Sequence, residues 1–524
     1  MKIALAQINP VAGDLKGNAL KITESITKAR NAGCDLVVFP ELSLTGAPLQ
    51  GLTRVRDFIF DCQEELDGIV RHTDGIGVLI GTIVQDECQD LCNAAILIEN
   101  RRIAGYTAKK IDRLVYPLDE CCNIESYPET GEFDFRGERL TIVIGEDIDN
   151  ELYNESSGII INISANAYRY KTFEGYVEKL RHSARKTGKP IVYVNQAGGN
   201  DELVFAGASM VVDAKGQILA LAKQFDEDMI FFDTSRNHSP LPGLKEDISW
   251  LYHSLVKGVQ DYFYKSGFKQ TLLGVSGGID AALVACIAAD ALGAENVLGV
   301  YMPSRYSSDH SRQDAQKLAE NLGIRYRVIP IEDIFVEYLK IFNGRPEPVG
   351  DVAEENIQAR IRGALLMFIA NREGRVLVST SNRSEASVGY TTIYGDMCGG
   401  LSPIADVPKT IVYELCRYIN REREIIPHNI LIKPPSAELR PGQKDEDSLP
   451  PYDILDAILS MYIDEELTME EMVARGYDGG TVSRVLNMVQ RSEYKRRQAP
   501  LTIRVYSPHE KVDNNPVVHK YIWT

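Results

Sequence analysis

The run Thr271-Leu272-Leu273-Gly274-Val275-Ser276-Gly277-Gly278-Ile279-Asp280-Ala281 constrains this chain more than any other. A short apolar stretch enters a glycine-rich turn, and an apolar helical pattern leaves it from Ala281 to Leu292. Glycines let a backbone approach an anion, and a helix start offers unpaired N–H groups. Asp280 adds a carboxylate where a Mg²⁺ bridging phosphates would lie. The turn is not a P-loop, since no Gly-Lys-Ser/Thr follows, and it lacks Gly-x-Gly-x-x-Gly spacing. The competing reading is a tight strand-to-helix turn that binds nothing.

Strand and helix patterns alternate onward from that turn. Val297 to Met302 and Tyr326 to Ile329 read as strands, with a helix from Ser311 to Leu322 between them. Val376 to Ser379 continues the series, which predicts a doubly wound parallel sheet. Such sheets bind ligands beyond the carboxyl ends of their strands. At the end near 380 stand Thr380, Arg383 and Glu385. Tyr394 to Gly400 forms a second glycine-rich acidic turn around Asp396. Lys409 opens a further helix and can serve as a point charge on phosphate. Taken together, these pieces favour an ATP and Mg²⁺ site. The segment Pro434 to Pro451, rich in Pro, Asp and Glu, reads as a loop over it.

Upstream, continuous apolar runs end in polar or glycine turns. Leu36 to Phe39, Val78 to Gly81, Ala94 to Ile98, Leu140 to Ile144, Gly158 to Asn162 and Ile191 to Asn195 all suit doubly buried strands. Helical patterns span Asn18 to Ala32 and Tyr176 to Thr187. The chain of 524 residues therefore divides into a first domain at 1–233, a Pro- and Ser-rich linker at 234–250 and a second domain at 251–524. A long helix is expected from Glu246 to Lys265.

Lys plus Arg number 57 against 74 Asp plus Glu, a net charge of -17. That argues against nucleic acid or an anionic membrane as partner. No run approaches the ~20 apolar residues of a membrane span, and no signal peptide is expected. Nine scattered cysteines fit a reducing cytosol, so a cytoplasmic location is expected. Neither Cys88/Cys92 nor Cys121/Cys122 has a second pair at zinc spacing.

The motifs carry a resemblance over nearly the whole chain. The second half resembles NAD synthetase of the N-type ATP pyrophosphatases, and the first resembles the nitrilase-like glutaminase domain fused to it in glutamine-dependent NAD synthetases. Ala4 to Pro10, Phe39-Pro40-Glu41-Leu42, Val194-Asn195-Gln196 and Asp201 to Phe205 carry it upstream. Met302 to Ser308, Glu355 to Arg360, Pro435 to Leu439, Leu449 to Tyr452 and Glu493 to Arg497 carry it downstream. The implied fold is α/β: a nitrilase-like α/β sandwich followed by a doubly wound, adenine-nucleotide α-hydrolase-like domain. The implied reaction adenylates the carboxylate of nicotinic acid adenine dinucleotide with Mg-ATP, and ammonia then displaces AMP. By position, Gly274, Ser276, Gly277, Gly278, Asp280, Ala281 and Thr380 would bind ATP. Asn356, Glu385, Asp396 and Lys495 would contact the dinucleotide. Asp280 and Glu385 would hold Mg²⁺, and Asp280, Glu385 and Lys409 would serve catalysis. The family also implies a homo-oligomer.

The chain departs from that pattern in both halves. Ala281 stands in place of a serine, and Ser381 and Arg383 replace glycine and lysine of the later motif. Arginine keeps the charge but changes its geometry. A nitrilase glutaminase needs a glutamate base, a lysine for the oxyanion and a cysteine nucleophile. Glu41 matches the base, and Lys109 or Lys110 the lysine, with Lys109 favoured by spacing. The nucleophile position, before Glu146-Asp147, is Gly145, so no thioester can form there. Cys121 and Cys122 are the neighbouring thiols. Asp149, Ala206, Asn166 and Ala167 also replace residues usual near the glutamine pocket. The expectation is an ammonia-dependent synthetase with a vestigial glutaminase. The alternatives are a paralogue that amidates another carboxylic acid, or a non-catalytic dinucleotide-binding protein.

Overall fold

The computed structural model describes residues 1–85, 91–109, 131–149, 158–507, 517 and 522–523. Its internal contacts separate two units, Met1–Glu246 and Asp247–Thr524.

The first unit opens with β1 (Lys2–Gln7), α1 (Leu15–Asn31), β2 (Leu36–Val38), α2 (Arg56–Val70), β3 (Gly77–Gln85), β4 (Leu91–Glu99) and β5 (Arg102–Ala108). It continues with β6 (Gly131–Phe135), β7 (Glu138–Ile144), β8 (Ile159–Ser164), α3 (Phe173–Thr187) and β9 (Ile191–Asn195). The short strands β10 (Ala197–Asn200), β11 (Leu203–Ala206), β12 (Met210–Val212), β13 (Ile218–Leu221) and β14 (Asp228–Asp233) close it. One six-stranded sheet runs β14-β1-β2-β3-β4-β5, the other β13-β12-β9-β8-β7-β6. Each has a parallel centre, β1–β2–β3 or β7–β8–β9, flanked by antiparallel strands.

Side-chain alternation along β1 explains the layering. Ile3 and Leu5 pack with Leu140, Ile142, Ile161 and Val192 between the two sheets. Ala4 and Ala6 turn the other way, onto Ile22 and Ile26 of α1 and Leu66 and Ile69 of α2. On the second sheet, Tyr176 of α3 lies 5.3 Å from Tyr193 of β9. Strands buried on both faces read as unbroken apolar runs, and each buried Ile, Leu or Val contributes about 1.5–3 kcal/mol. The result is the helix–sheet–sheet–helix sandwich expected from the sequence.

The second unit begins with α4 (Ile248–Lys265), capped by Asp247, whose Oδ1 accepts the Ser249 N–H at 2.8 Å. The expected helix thus starts two residues late, because the aspartate serves as the N-cap. Then follow β15 (Thr271–Gly274), α5 (Ile279–Leu292), β16 (Val297–Tyr301), α6 (Asp309–Leu322), β17 (Arg325–Val328), α7 (Glu332–Asn343), α8 (Val352–Glu373), β18 (Val376–Leu377) and α9 (Arg383–Val388). The remainder is β19 (Leu401–Ser402), α10 (Lys409–Ile419), α11 (His428–Ile432), α12 (Tyr452–Ile463), α13 (Met469–Ala474), α14 (Gly479–Arg491), α15 (Glu493–Arg496) and β20 (Leu501–Thr502). The main sheet is parallel throughout, in the order β17-β16-β15-β18. The order reverses between β15 and β18, so the ligand crevice opens at their carboxyl ends. Both motif-bearing turns, after Gly274 and after Leu377, leave the sheet there.

Candidate active sites

In the second unit, Gly278 is the extended N-cap of α5 and offers no side chain to it. The first-turn N–H groups therefore keep no side-chain cap, as an anion site requires. Gly277 has φ +80°, and a Cβ there would stand 2.4 Å from the Ser311 carbonyl oxygen. No other residue fits. At Gly274 a Cβ would meet Leu366 and Met302 at an ordinary 3.6 Å, so that glycine is not sterically compelled. Ser276 is exposed at the loop tip, and Ala281 is buried in the first turn of the helix.

Asp280, Glu385 and Lys409 converge. Lys409 Nζ donates to Asp280 Oδ2 at 2.5 Å and to Glu385 Oε1 at 3.1 Å, and the lysine is only 2% exposed. Three residues that the sequence reading missed complete the group. Asn382 Nδ2 donates to Asp280 Oδ1 at 3.0 Å, while its own Oδ1 caps α9 by accepting the Glu385 N–H at 3.0 Å. The Tyr452 hydroxyl donates to Asp445 Oδ2 at 2.9 Å, and Lys409 Nζ lies 5.1 Å from the Tyr452 ring centre. Asp445 belongs to the segment expected to cover the site.

Three carboxylates thus face one ammonium. Burial pushes the Glu385 carboxyl up to about 8, against the pull of Lys409 and with help from Asp280 and Asp445. Burial likewise raises Asp445. Burial alone would lower Lys409, but Asp280 and Glu385 outweigh it and hold the ammonium above its ordinary value. The excess negative charge suits a further cation. Among the described residues no group of three or more His, Cys, Asp or Glu has the spacing of a metal cage. Mg²⁺ carried on phosphates needs only one or two carboxylates, so Asp280 and Glu385 fit it.

The expected dinucleotide residues gather on the neighbouring turn, with one exception. Asn356 Oδ1 accepts from the Thr392 hydroxyl at 2.9 Å, and Asp396 Oδ1 accepts the Thr392 N–H at 2.6 Å. Lys495 Nζ donates to the Gly389 and Thr391 carbonyls at 2.6 and 2.7 Å. Glu385 stands apart from them, on Lys409. Half-buried Thr380 follows Ser379, whose hydroxyl donates to the Asp396 carbonyl at 3.0 Å.

Two of the sequence departures lose their expected meaning. Arg383 turns away from the crevice into a bidentate pair with Asp464, at 3.0 and 2.6 Å. Ser381 is absent from the positive-φ residues, so nothing at that position demands glycine.

In the first unit Glu41, Lys109 and Gly145 converge from the segments that follow β2, the edge strand β5 and β7. Lys109 Nζ donates to Glu41 Oε1 at 2.7 Å, as does Asn93 Nδ2, and the Ala165 N–H donates to Oε2 at 2.9 Å. Gly145 has φ +54°, and a Cβ on it would stand 3.1 Å from Lys109 Nζ and 3.2 Å from Glu41 Oε2. Position 145, expected to hold the nucleophile, therefore faces both Glu41 and Lys109. The carbonyl of Gly145 is held by Asn162 Nδ2 at 2.9 Å. Asn166 is tied down through its N–H to Asn195 Oδ1 at 2.9 Å. Ala206 and Ala167 are placed beside Phe205, by strand β11 and by an isolated bridge. Lys110, Cys88, Cys121, Cys122 and the Asp149 side chain lie outside the described residues. Among the described cysteines, burial raises Cys34 and pushes Cys62 up to about 12, which keeps both as inert thiols.

Known proteins share this arrangement of domains. The NAD synthase family model matches residues 251–499, and the carbon-nitrogen hydrolase model matches 2–139 and 152–238. A glutamine-dependent NAD(+) synthetase of Synechocystis sp. is 41% identical over 536 residues, covering 96% of each chain. That of Thermotoga maritima is 39% identical over 575 residues, again covering 96% of each. A solved structure of glutamine-dependent NAD+ synthetase from Acinetobacter baumannii, in complex with ADP, is 33% identical, with a TM-score of 0.78 and 98% of each chain covered. With that likeness along its whole length, and with an uncapped glycine turn and a lysine-bridged acidic pair in its crevice, the chain belongs to the glutamine-dependent NAD(+) synthetases, a family of carbon–nitrogen ligases.

Proposed function

We propose that this ligase makes NAD by amidating nicotinic acid adenine dinucleotide at the expense of ATP, and that it takes ammonia directly because its glutaminase is lost. The observation that carries the second part is Gly145, which presents no nucleophile to Glu41 and Lys109. In this reading 1–233 is the nitrilase-like domain without glutaminase activity, 234–250 the linker and 251–524 the synthetase. The location in this reading is cytoplasmic, as the scattered cysteines lead one to expect, and the substrates are small molecules.

In the synthetase, the α5 N-terminus and the Gly277 turn cradle the ATP phosphates, and Thr380 contacts the nucleotide. The dinucleotide lies against Asn356, Asp396 and Lys495. Its carboxylate attacks the α-phosphorus, and pyrophosphate leaves. Lys409 stabilises the charge that spreads over the phosphoryl oxygens, and Asn382 holds Asp280 in line with it. Asp280 and Glu385 would hold Mg²⁺, which neutralises phosphate charge when bound. Ammonia then adds to the acyl carbon, and AMP departs with the former carboxylate oxygen. A reading in which another acid is the substrate now rests on Ala281 alone, since Ser381 and Arg383 no longer argue for it.

The homo-oligomer is assigned to α7 and the start of α8, where Ile341, Phe342 and Val352 are 72%, 78% and 67% exposed. A second copy of the chain would cover them. Pyrophosphate release from Mg-ATP and nicotinic acid adenine dinucleotide tests the function. Ammonium should support turnover and glutamine should not. Turnover on glutamine in ammonia-free buffer would overturn the loss of glutaminase. Silence with both nitrogen sources would overturn the choice of acid.

A further inference from the structure

We propose that the Glu41–Lys109–Gly145 site is a direct hydrolase, in which water takes the place of the missing side chain and attacks small neutral carboxamides. The inference rests on the reading that no thioester forms at Gly145. Its geometric basis is the niche that glycine leaves. A point 3.1 Å from Lys109 Nζ and 3.2 Å from Glu41 Oε2 is within hydrogen-bond reach of both. A side-chain carbon there would gain nothing from either group. A water oxygen accepts from the ammonium and donates to the carboxylate.

The site is built to hold such a guest. Glu41 is 3% exposed and fixed by three donors, so Oε2 keeps one direction free toward the niche. Asn93, 8% exposed and bonded to Glu41 through Nδ2, has a buried Oδ1 with no hydrogen-bond partner in the protein. Ser164 Oγ, next to Ala165, is buried and unpartnered as well. Unsatisfied buried acceptors are costly, and a donor-rich small molecule relieves them. Ala165, whose N–H donates to Glu41 Oε2, is anchored in a packed apolar cluster with Ala47, Leu203 and Phe205, which keeps that donor fixed.

The step balances without a cofactor. Water loses a proton to Glu41 and forms the new C–O bond to the amide carbon. The carbonyl oxygen becomes an oxyanion beside Lys109. The C–N bond breaks as Glu41 returns the proton to nitrogen, leaving ammonia and a carboxylic acid.

Ammonia release from isobutyramide by the full chain tests this, with intact-mass spectrometry of quenched protein. The expected result is ammonia without an acyl-protein adduct. Gly145→Ala, which puts a methyl group in the niche, should lower the rate by roughly 100-fold through displacement of the water. Glu41→Gln should lower it by about 100-fold or more, and far-UV circular dichroism checks that each variant folds. No release from the wild-type chain, or release that survives Gly145→Ala, would overturn the proposal while leaving the loss of the thioester route intact. An acyl adduct built up from glutamine or isobutyramide would overturn both.

Discussion

Arg383 offers the sharpest test of how far motif similarity can be trusted. By resemblance its position carries a lysine in an ATP motif, yet the guanidinium sits 7% exposed against Asp464, itself 12% exposed. Two charge-assisted hydrogen bonds, at 3.0 and 2.6 Å, join them, and the Ser507 hydroxyl donates to Asp464 Oδ1 at 2.8 Å. Breaking a buried pair from one side costs about 3–5 kcal/mol, because the remaining charge stays desolvated. Asp464→Asn should therefore lower the melting midpoint on the order of 6–20 °C, at roughly 2–4 °C per kcal/mol for a unit of this size. Arg383→Lys keeps the charge but forfeits one arm of the fork, a loss of about 1.5–3 kcal/mol. The double variant Arg383→Met/Asp464→Leu removes both charges and should recover most of the midpoint lost in Asp464→Asn. None of the three should change the KM for ATP by more than about twofold when assayed well below the melt. Differential scanning fluorimetry and pyrophosphate-release kinetics read the two quantities separately. A tenfold rise in KM for ATP, worth about 1.4 kcal/mol, with an unchanged midpoint in Arg383→Lys would refute the argument and return Arg383 to the phosphates.

Lys409→Met should reduce kcat/KM for pyrophosphate release by at least about 100-fold, or ~2.7 kcal/mol of transition-state stabilisation. A loss under tenfold would place the decisive positive charge elsewhere. Glu246 gives a pH signature. Its folded carboxyl is raised, mainly by burial and against hydrogen bonds from Tyr168 and Lys171. A raised carboxyl favours the protonated fold, so its stability contribution is full below the ordinary carboxylate value and lost as pH climbs through the folded one. Glu246→Gln keeps an acceptor for both donors and should melt higher than wild type at pH 8, with the gap shrinking toward pH 4; a gap that widens on acidification refutes the sign. Replacing the buried Glu41–Lys109 pair by Leu and Met should be neutral or stabilising by about 1–4 kcal/mol, read by urea denaturation; a marked loss would make the pair structural. Phe342→Glu should lower the mass seen by sedimentation equilibrium to that of a monomer, and an unchanged oligomer would clear that face of the role.

The sheet-end motifs were legible because glycine, carboxylate and lysine are rare together at the mouth of an apolar strand. The turn at Gly277 and the helix opened by Lys409 stand where the residue pattern put them. The partners were not legible. Asn382, Asp445 and Tyr452 reach the site from separate elements, and only folding brings residues 280, 382, 385, 409, 445 and 452 together. Arg383 misled because a motif gives a position, not a direction; on α9 it faces Asp464 while Glu385, two residues on, faces Lys409. Some elements could have been found. In α14 the buried Val482, Val485, Leu486 and Val489 follow helical spacing openly. In α8 buried Glu354 and Gln358 interrupt the apolar stripe, so periodicity alone is silent there.

The two sites are assembled from the same parts in different ratios, and the ratio decides what each can hold. At Lys409 one ammonium faces Asp280, Glu385 and Asp445, and burial makes the uncompensated charge costly. Glu385 responds by rising to about 8. The electrostatics of such a pocket suit a cation. At Lys109 the ammonium pairs with the Glu41 carboxylate, and the two are 14% and 5% exposed. Between them, a dipole with a donor for Glu41 and an acceptor for Lys109 is matched at both ends. A carboxamide and a water molecule both meet that description. Glycine at 145 adds no charge to that pair, and a neutral side chain there would add none either. The contact between Glu41 and Lys109 therefore does not depend on which residue stands at position 145.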